Sequence, residues 1–135
     1  MVNSEKSGVM FTVDPVNHEK NRIIIEAIYG LGEYIVQGTV TPDIYVIEKN
    51  SLDILSKKIE KQTIQLIKVG SLTKKTVVPR KLRLKRKLTD VQIKQLAQIG
   101  KRIHNHYFYP QDIEWVWYKK KFYIESQSIC WARRA

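Results

Sequence analysis

Two carboxylates set two residues apart, Asp112 and Glu114 in the run Gln111-Asp112-Ile113-Glu114-Trp115, are the sharpest chemical feature of this sequence. The run alternates polar with aliphatic or aromatic residues, which is a strand pattern. Side chains alternate faces along a strand, so both acids project to one side. Two carboxylates so placed repel each other unless a cation or a basic group lies between them. Hard oxygen donors of this kind suit Mg²⁺, which takes one or two carboxylates and completes its shell with water and phosphate oxygens. The alternative is a solvent-facing strand surface whose acids pair with lysines.

Other reactive residue types are less well arranged. His104 and His106 stand two apart on an expected helix and so point to different faces. His18 has no companion in the sequence, and Cys130 has no second thiol for a disulfide or a paired ligand pattern. No Gly-x-x-x-x-Gly-Lys-Ser/Thr run is present. Gly30-Leu31-Gly32-Glu33 is a bend that could bring backbone close to another group, or a tight strand-to-helix connection.

Charge is distributed unevenly. The formal net charge is +11, and Lys74–Lys87 alone holds eight basic residues and no acidic ones. Clustered Lys and Arg release counterions from phosphates, so this segment is where a nucleic acid would bind. It reads equally as a solvated basic loop or strand edge, or as a wall facing nucleotide phosphates.

The elements that must position these residues follow from the apolar pattern. At 135 residues with 43% hydrophobic and 27% charged residues, the chain fits one soluble domain with one modest core. No apolar run approaches the ~20 residues that span a bilayer, and the first residues lack a signal-peptide pattern. A cytoplasmic location is expected, in keeping with the single cysteine.

Gly8 to Val13 reads as a strand stopped by Asp14-Pro15, and Asn17 to Asn21 as a turn. Arg22 to Ile28 is a β-branched run that reads as a buried strand. Ile44 to Glu48 is a further strand, and 62–69 and 76–84 show alternation of two more. Thr89 with Gln92 forms a capping box, and Leu88 with Ile93 a hydrophobic staple. Ile93, Leu96, Ala97, Gly100, Ile103 and Tyr107 then mark one face of a helix ending near His106. Ile113–Tyr118 and Phe122–Glu125 form a hairpin turned by lysines 119 to 121. The class is α+β: a mostly antiparallel sheet with one long helix packed on it.

Four of these motifs together resemble a known family. Ser7-Gly8-Val9-Met10-Phe11-Thr12-Val13-Asp14-Pro15, Gly30-Leu31-Gly32-Glu33, Val40-Thr41-Pro42-Asp43 and Gln111-Asp112-Ile113-Glu114-Trp115 occur in that order over residues 4 to about 125. They are similar to the ATP-binding domain of phosphoenolpyruvate synthase and pyruvate phosphate dikinase; the rifampicin phosphotransferases share this domain. The resemblance implies the C-terminal subdomain of an ATP-grasp fold, in which two α+β lobes clasp ATP. It implies ATP and Mg²⁺ as ligands, and phosphoryl transfer through a histidine on a swivelling domain to pyruvate. By position it makes Glu114 a Mg²⁺ ligand, Asp112 its neighbour at the phosphates, and Gly30, Gly32 and Glu33 part of the nucleotide cleft.

The chain also departs from the pattern. The second hairpin strand of the family ends in Gln-Ser-Arg-Pro or Gln-Ala-Arg-Pro, whose Gln is a metal ligand and whose Arg steadies the phosphoryl group. Counting from Glu114, those positions fall on Ser126 and Ser128, and Gln127 is one residue late. A one-residue shift in a strand reverses a side chain's face, so Gln127 substitutes as a ligand only if a bulge intervenes. Residues 1–127 are expected to form a partial ATP-binding domain and 128–135 an atypical tail. The other lobe would lie outside this chain, which predicts an inactive fragment that docks on that lobe or self-associates through exposed apolar surface. The competing expectation is a small basic nucleic-acid-binding protein using residues 74–87, or a non-catalytic interaction module.

Overall fold

The computed structural model describes residues 5–13, 21–107 and 110–129, with side chains described as far as Glu125. The expected Asp14-Pro15 stop, most of the 17–21 turn, His18, Cys130 and the tail from 130 onward lie outside these residues.

Among the described residues, eight strands and two helices follow in order: β1 (Lys6–Phe11), β2 (Arg22–Tyr29), α1 (Glu33–Val36), β3 (Asp43–Glu48), β4 (Ile54–Lys58), β5 (Ile64–Val69), β6 (Leu72–Val77), α2 (Asp90–Tyr107), β7 (Gln111–Tyr118) and β8 (Lys121–Ile129). A 3-10 turn occupies Arg80–Leu82. Six strands form one sheet in the order β4-β3-β2-β1-β7-β8, and β5-β6 form a separate two-stranded ribbon. Every pairing is antiparallel. The α+β architecture with one long helix is as the sequence indicates.

Helix α2 begins where the capping box puts it. The Gln92 amide donates to Thr89 Oγ1 at 3.2 Å, and the Thr89 amide donates to Gln92 Oε1 at 3.0 Å. These bonds satisfy backbone donors that have no partner inside the helix. Ile93, Leu96 and Ala97 then bury against Met10, Ile23, Ile25, Tyr45, Ile47, Ile113 and Trp115 of the sheet. Gly100 lets the helix approach closely, because a Cβ there would lie 2.8 Å from the Met10 thioether. The expected face overreaches at its end, since Tyr107 is exposed.

A smaller core of Ile28, Leu31, Tyr34, Val40 and Leu66 closes one end of the opposite sheet face and seats the β5-β6 ribbon. The ribbon corrects one expectation: the strand placed at 76–84 is β6 at 72–77, followed by the 3-10 turn. Pro79 has no amide for a ladder, so extended pairing stops before it.

Candidate functional site

The strand pattern of β7 holds. Ile113 and Trp115 point into the core with α2, so Asp112 and Glu114 take the opposite face. Asp112 pairs in register with Phe11, and Glu114 with Val9. Asp112 is 3% exposed, whereas Glu114 is half-buried. The two carboxylates therefore share a side, one deep and one nearer solvent.

Reading across the same row shows a residue that sequence pattern alone misses. Val9 pairs with Glu114 on one side and with Glu26 of β2 on the other. Residues directly opposite on neighbouring strands share a face, so Glu26 lies on the carboxylate side, about 10 Å from Glu114 at two strand spacings. Its carboxylate has no hydrogen-bond or ion-pair partner among the described residues, and burial pushes its pKa up. In the sequence Glu26 interrupts an aliphatic run, and only its register through Val9 ties it to Glu114.

The Gly30–Glu33 bend is elsewhere on the same sheet. Gly30 lies four residues beyond the Glu26 row, or about 13 Å along the strand. Its backbone is engaged within the fold: the Gly30 amide donates to the Glu5 carbonyl at 3.1 Å, and Ser7 Oγ donates to the Gly30 carbonyl at 2.6 Å. The next amide, of Leu31, donates to the Leu66 carbonyl at 2.7 Å. Gly30 has φ +81°, and a Cβ there would lie 2.5 Å from the Leu66 carbonyl oxygen. Glycine thus lets β5 cross the end of β2. Gly32 precedes the single turn of α1, and Glu33 opens that turn exposed to solvent. The structure brings Asp112, Glu114 and Glu26 onto one band and sets Gly30, Gly32 and Glu33 at its far end.

The hairpin contains a bulge on the strand that carries Gln127. Trp115 pairs with Ile124, but Glu114 pairs with Ser126, so Glu125 is the extra residue of a bulge in β8. The bulge leaves Ser126 opposite Glu114 and Gln127 opposite Ile113. Continued regular pairing would have set Gln127 opposite Asp112. The side chain of Gln127 itself lies outside the described residues.

Asp43, the last residue of the Val40–Asp43 motif, makes a different kind of centre. It forms an ion pair with Lys87 at 2.8 Å, and both side chains are wholly buried. The Tyr45 hydroxyl, the Glu60 amide and the Lys87 amide also donate to its carboxylate, at 2.7, 2.9 and 3.0 Å. Lys87 donates further to the Glu60 carbonyl at 2.6 Å. Burial first, then the bond to Asp43, drives the Tyr45 hydroxyl pKa far upward. With both charges fully enclosed, losing either partner would leave the other charge buried and uncompensated.

His104 and His106 do not meet, as expected. His104 Nδ1 lies 2.9 Å from Thr12 Oγ1, and burial and then Lys49 lower its pKa.

Among the described residues no three acids, histidines or cysteines come together as a metal cage. The donor set at Asp112 and Glu114 is instead a pair of hard oxygens. That fits Mg²⁺, which dehydrates reluctantly and keeps water and phosphate ligands beside one or two carboxylates.

Comparison with known proteins gives the family. The profile of the pyruvate phosphate dikinase AMP/ATP-binding domain covers residues 1–125. A probable phosphoenolpyruvate synthase of Methanocaldococcus jannaschii is 43% identical over 125 residues, covering 92% of this chain and 10% of that protein. The phosphoenolpyruvate synthase of Pyrococcus furiosus is 42% identical, covering 96% of this chain and 17% of its own length. A probable phosphoenolpyruvate synthase of Archaeoglobus fulgidus is 44% identical, covering 99% and 18%. The chain thus spans less than a fifth of the length of these relatives. With residues 1–125 matched, this chain belongs to the pyruvate phosphate dikinase AMP/ATP-binding domain family.

Proposed function

We propose that this chain forms one wall of an ATP site, and that its side chains Asp112 and Glu114 hold magnesium against the nucleotide phosphates. The observation that carries the reading is the placement of both carboxylates on the β7 face turned away from α2. A bound Mg²⁺ would supply charge neutralisation, which is most of what a protein contributes to phosphoryl transfer. Asp112 holds its place from within the sheet, and Glu114 offers its carboxylate from a half-buried position. Gly30, Gly32 and Glu33 border the same face from its far end. The parent reaction is that of the named relatives: phosphoryl transfer from ATP through a phosphohistidine to pyruvate, giving phosphoenolpyruvate. In this reading the chain alone carries out no synthase turnover, because it contributes carboxylates to only one side of the nucleotide. A second lobe covers the carboxylate face in the assembled protein, which works in the cytoplasm.

The test is calorimetric titration of the 135-residue chain with ATP at saturating Mg²⁺. Glu114→Ala is expected to weaken binding by 10-fold or more, on the scale of losing a hard metal ligand, or about 1.4 kcal/mol. Glu33→Gln is expected to leave affinity within about twofold, since a change of this size at an exposed rim charge is small. Equal affinity of wild type and Glu114→Ala for Mg-ATP would remove the proposal.

A further inference from the structure

Helix α2 carries a second stripe besides the one it buries. Ile93, Leu96, Ala97 and Gly100 are buried toward the sheet, whereas Val91, Lys94, Gln95, Gln98, Ile99 and Arg102 recur at helical spacing on another side. This second stripe lines a groove of about 690 Å³. The other walls are Leu52, between β3 and β4, and Lys121 and Phe122, at the start of β8. The apolar part of the groove is anchored from below. Leu52 and Phe122 pack at the edge of the main core, and the Phe122 ring meets Trp115 and Trp117 edge-on, with centroids 5.6 and 4.7 Å apart. Val91 is 66% exposed, and Ile99 is partly buried. The charge in the groove has one sign. Lys94, Arg102 and Lys121 line it exposed, and no acid does. None of these three cations has a hydrogen-bond or ion-pair partner among the described residues.

We propose that this groove docks an acidic amphipathic helix of a protein partner. From Val91 to Arg102 the groove follows α2 for about 16 Å, or about three helical turns. An amphipathic helix lays its apolar residues into such a groove and keeps its charged residues at the edges. Leu52, Val91, Ile99 and Phe122 receive the apolar face, and the three cations meet the acids that flank it. The groove is open rather than enclosed, so a small molecule would fall short of the ~70–90% burial of an ordinary pocket ligand. A second copy of this chain seated through the same stripe would set cation against cation, which works against self-pairing. The groove lies on the α2 side of the sheet, and Asp112 and Glu114 lie on the other. Docking there is therefore independent of the nucleotide site.

Fluorescence anisotropy tests it with the 135-residue chain and a labelled, stapled helical peptide of about 12 residues, with leucines along one face and glutamates beside them. A peptide of the same composition, with its leucines scattered around the helix, separates groove binding from attraction to a chain of net charge +11. The first peptide is expected to bind about 10-fold tighter than the second, because only its apolar face fits the groove. K94E/R102E is expected to weaken it about 10-fold or more, since like charges then face each other. K74E/K75E makes the same charge change on β6 and is expected to stay within about twofold, as charge is screened over distance. Circular dichroism checks the fold of each variant. Amide chemical shifts in the unaltered chain should move at Val91, Gln98, Ile99, Arg102 and Phe122, a readout that needs no variant. Equal affinity for the two peptides, or no binding of the first at about 50 mM salt, where surface charges are least screened, would overturn the proposal. So would equal loss in the two variants, shifts confined to other residues, or displacement of the peptide by Mg-ATP at matched ionic strength. Tighter binding of an oligonucleotide or an anionic vesicle at the same shifted residues would also overturn it, by giving the groove to another class of partner.

Discussion

At the scale of single residues, the carboxylate band has a cost that pH should expose. Glu26 is partly buried without a partner among the described residues, so its charged form is disfavoured in the folded chain and its pKa is raised by burial. Below the ordinary glutamate range both folded and unfolded chains carry the proton, and Glu26 costs nothing. As pH rises through that range, the unfolded chain releases its proton first. The folded chain then binds more protons than the unfolded one, and stability falls with pH until the folded pKa is passed. Glu26→Gln is therefore expected to be more stable than wild type at pH 7 and to match it near pH 4. Urea denaturation at the two pH values measures this. A variant equally displaced at both would mean that packing, not ionisation, sets the effect. Strand register places Glu26 on the face of Glu114 and Asp112, about 10 Å from Glu114. Strained or unpaired groups of this kind concentrate at functional sites.

Among the elements, the β7-β8 hairpin joins the site to a strained turn. Lys119 and Lys120 both have positive φ, at 48° and 65°. A two-residue turn with both centres left-handed suits the strand twist, but lysine pays about 1 kcal/mol or more in that region, where Asn and Gly are favoured. Lys119→Asn with Lys120→Gly is expected to raise the melting temperature by several degrees, for a gain of about 1 kcal/mol. An unchanged or lower melting point in a calorimetric scan would show that the turn is not strained. This hairpin was legible in the sequence because its alternation is strong and its lysines interrupt it. Helix α2 was legible because a capping box and an apolar stripe agree. Strand β4 was not: it is an edge strand in which only Ile54 is partly buried, so no alternation marks it. The single turn of α1 is too short to leave a periodic signal. Asp112 and Glu114 were legible as a same-face pair from the period of two. Glu26 was hidden because cross-strand register, which brings it to their side, is a property of the folded sheet.

For the whole molecule, the question is what keeps the β5-β6 ribbon fixed to the six-stranded sheet. Apolar contacts of Leu66 with Leu31 and Tyr34 are one tie, and Gln62 is another, its side chain bonding the Tyr29 amide and carbonyl at 2.9 and 3.0 Å. The third is Asp43 of β3, which gathers donors from both segments that flank the ribbon, Glu60 before it and Lys87 after it. Removing either partner of a buried ion pair strands the other charge, at a cost of about 3–5 kcal/mol. The two removals are not equivalent. Lys87→Met leaves the Asp43 carboxylate with three remaining donors, the Tyr45 hydroxyl and the backbone amides of Glu60 and of position 87. Asp43→Ala leaves those same three donors without an acceptor as well as a buried ammonium, each unmade bond adding about 1–3 kcal/mol. Asp43→Ala is therefore expected to be the more damaging, enough to unfold a domain whose total stability is about 5–15 kcal/mol. Lys87→Met should remain folded, with hydrogen exchange accelerated first in β5 and β6. Urea midpoints ordered the other way, or exchange that quickens uniformly over both sheets, would show that Asp43 is not the clasp between them.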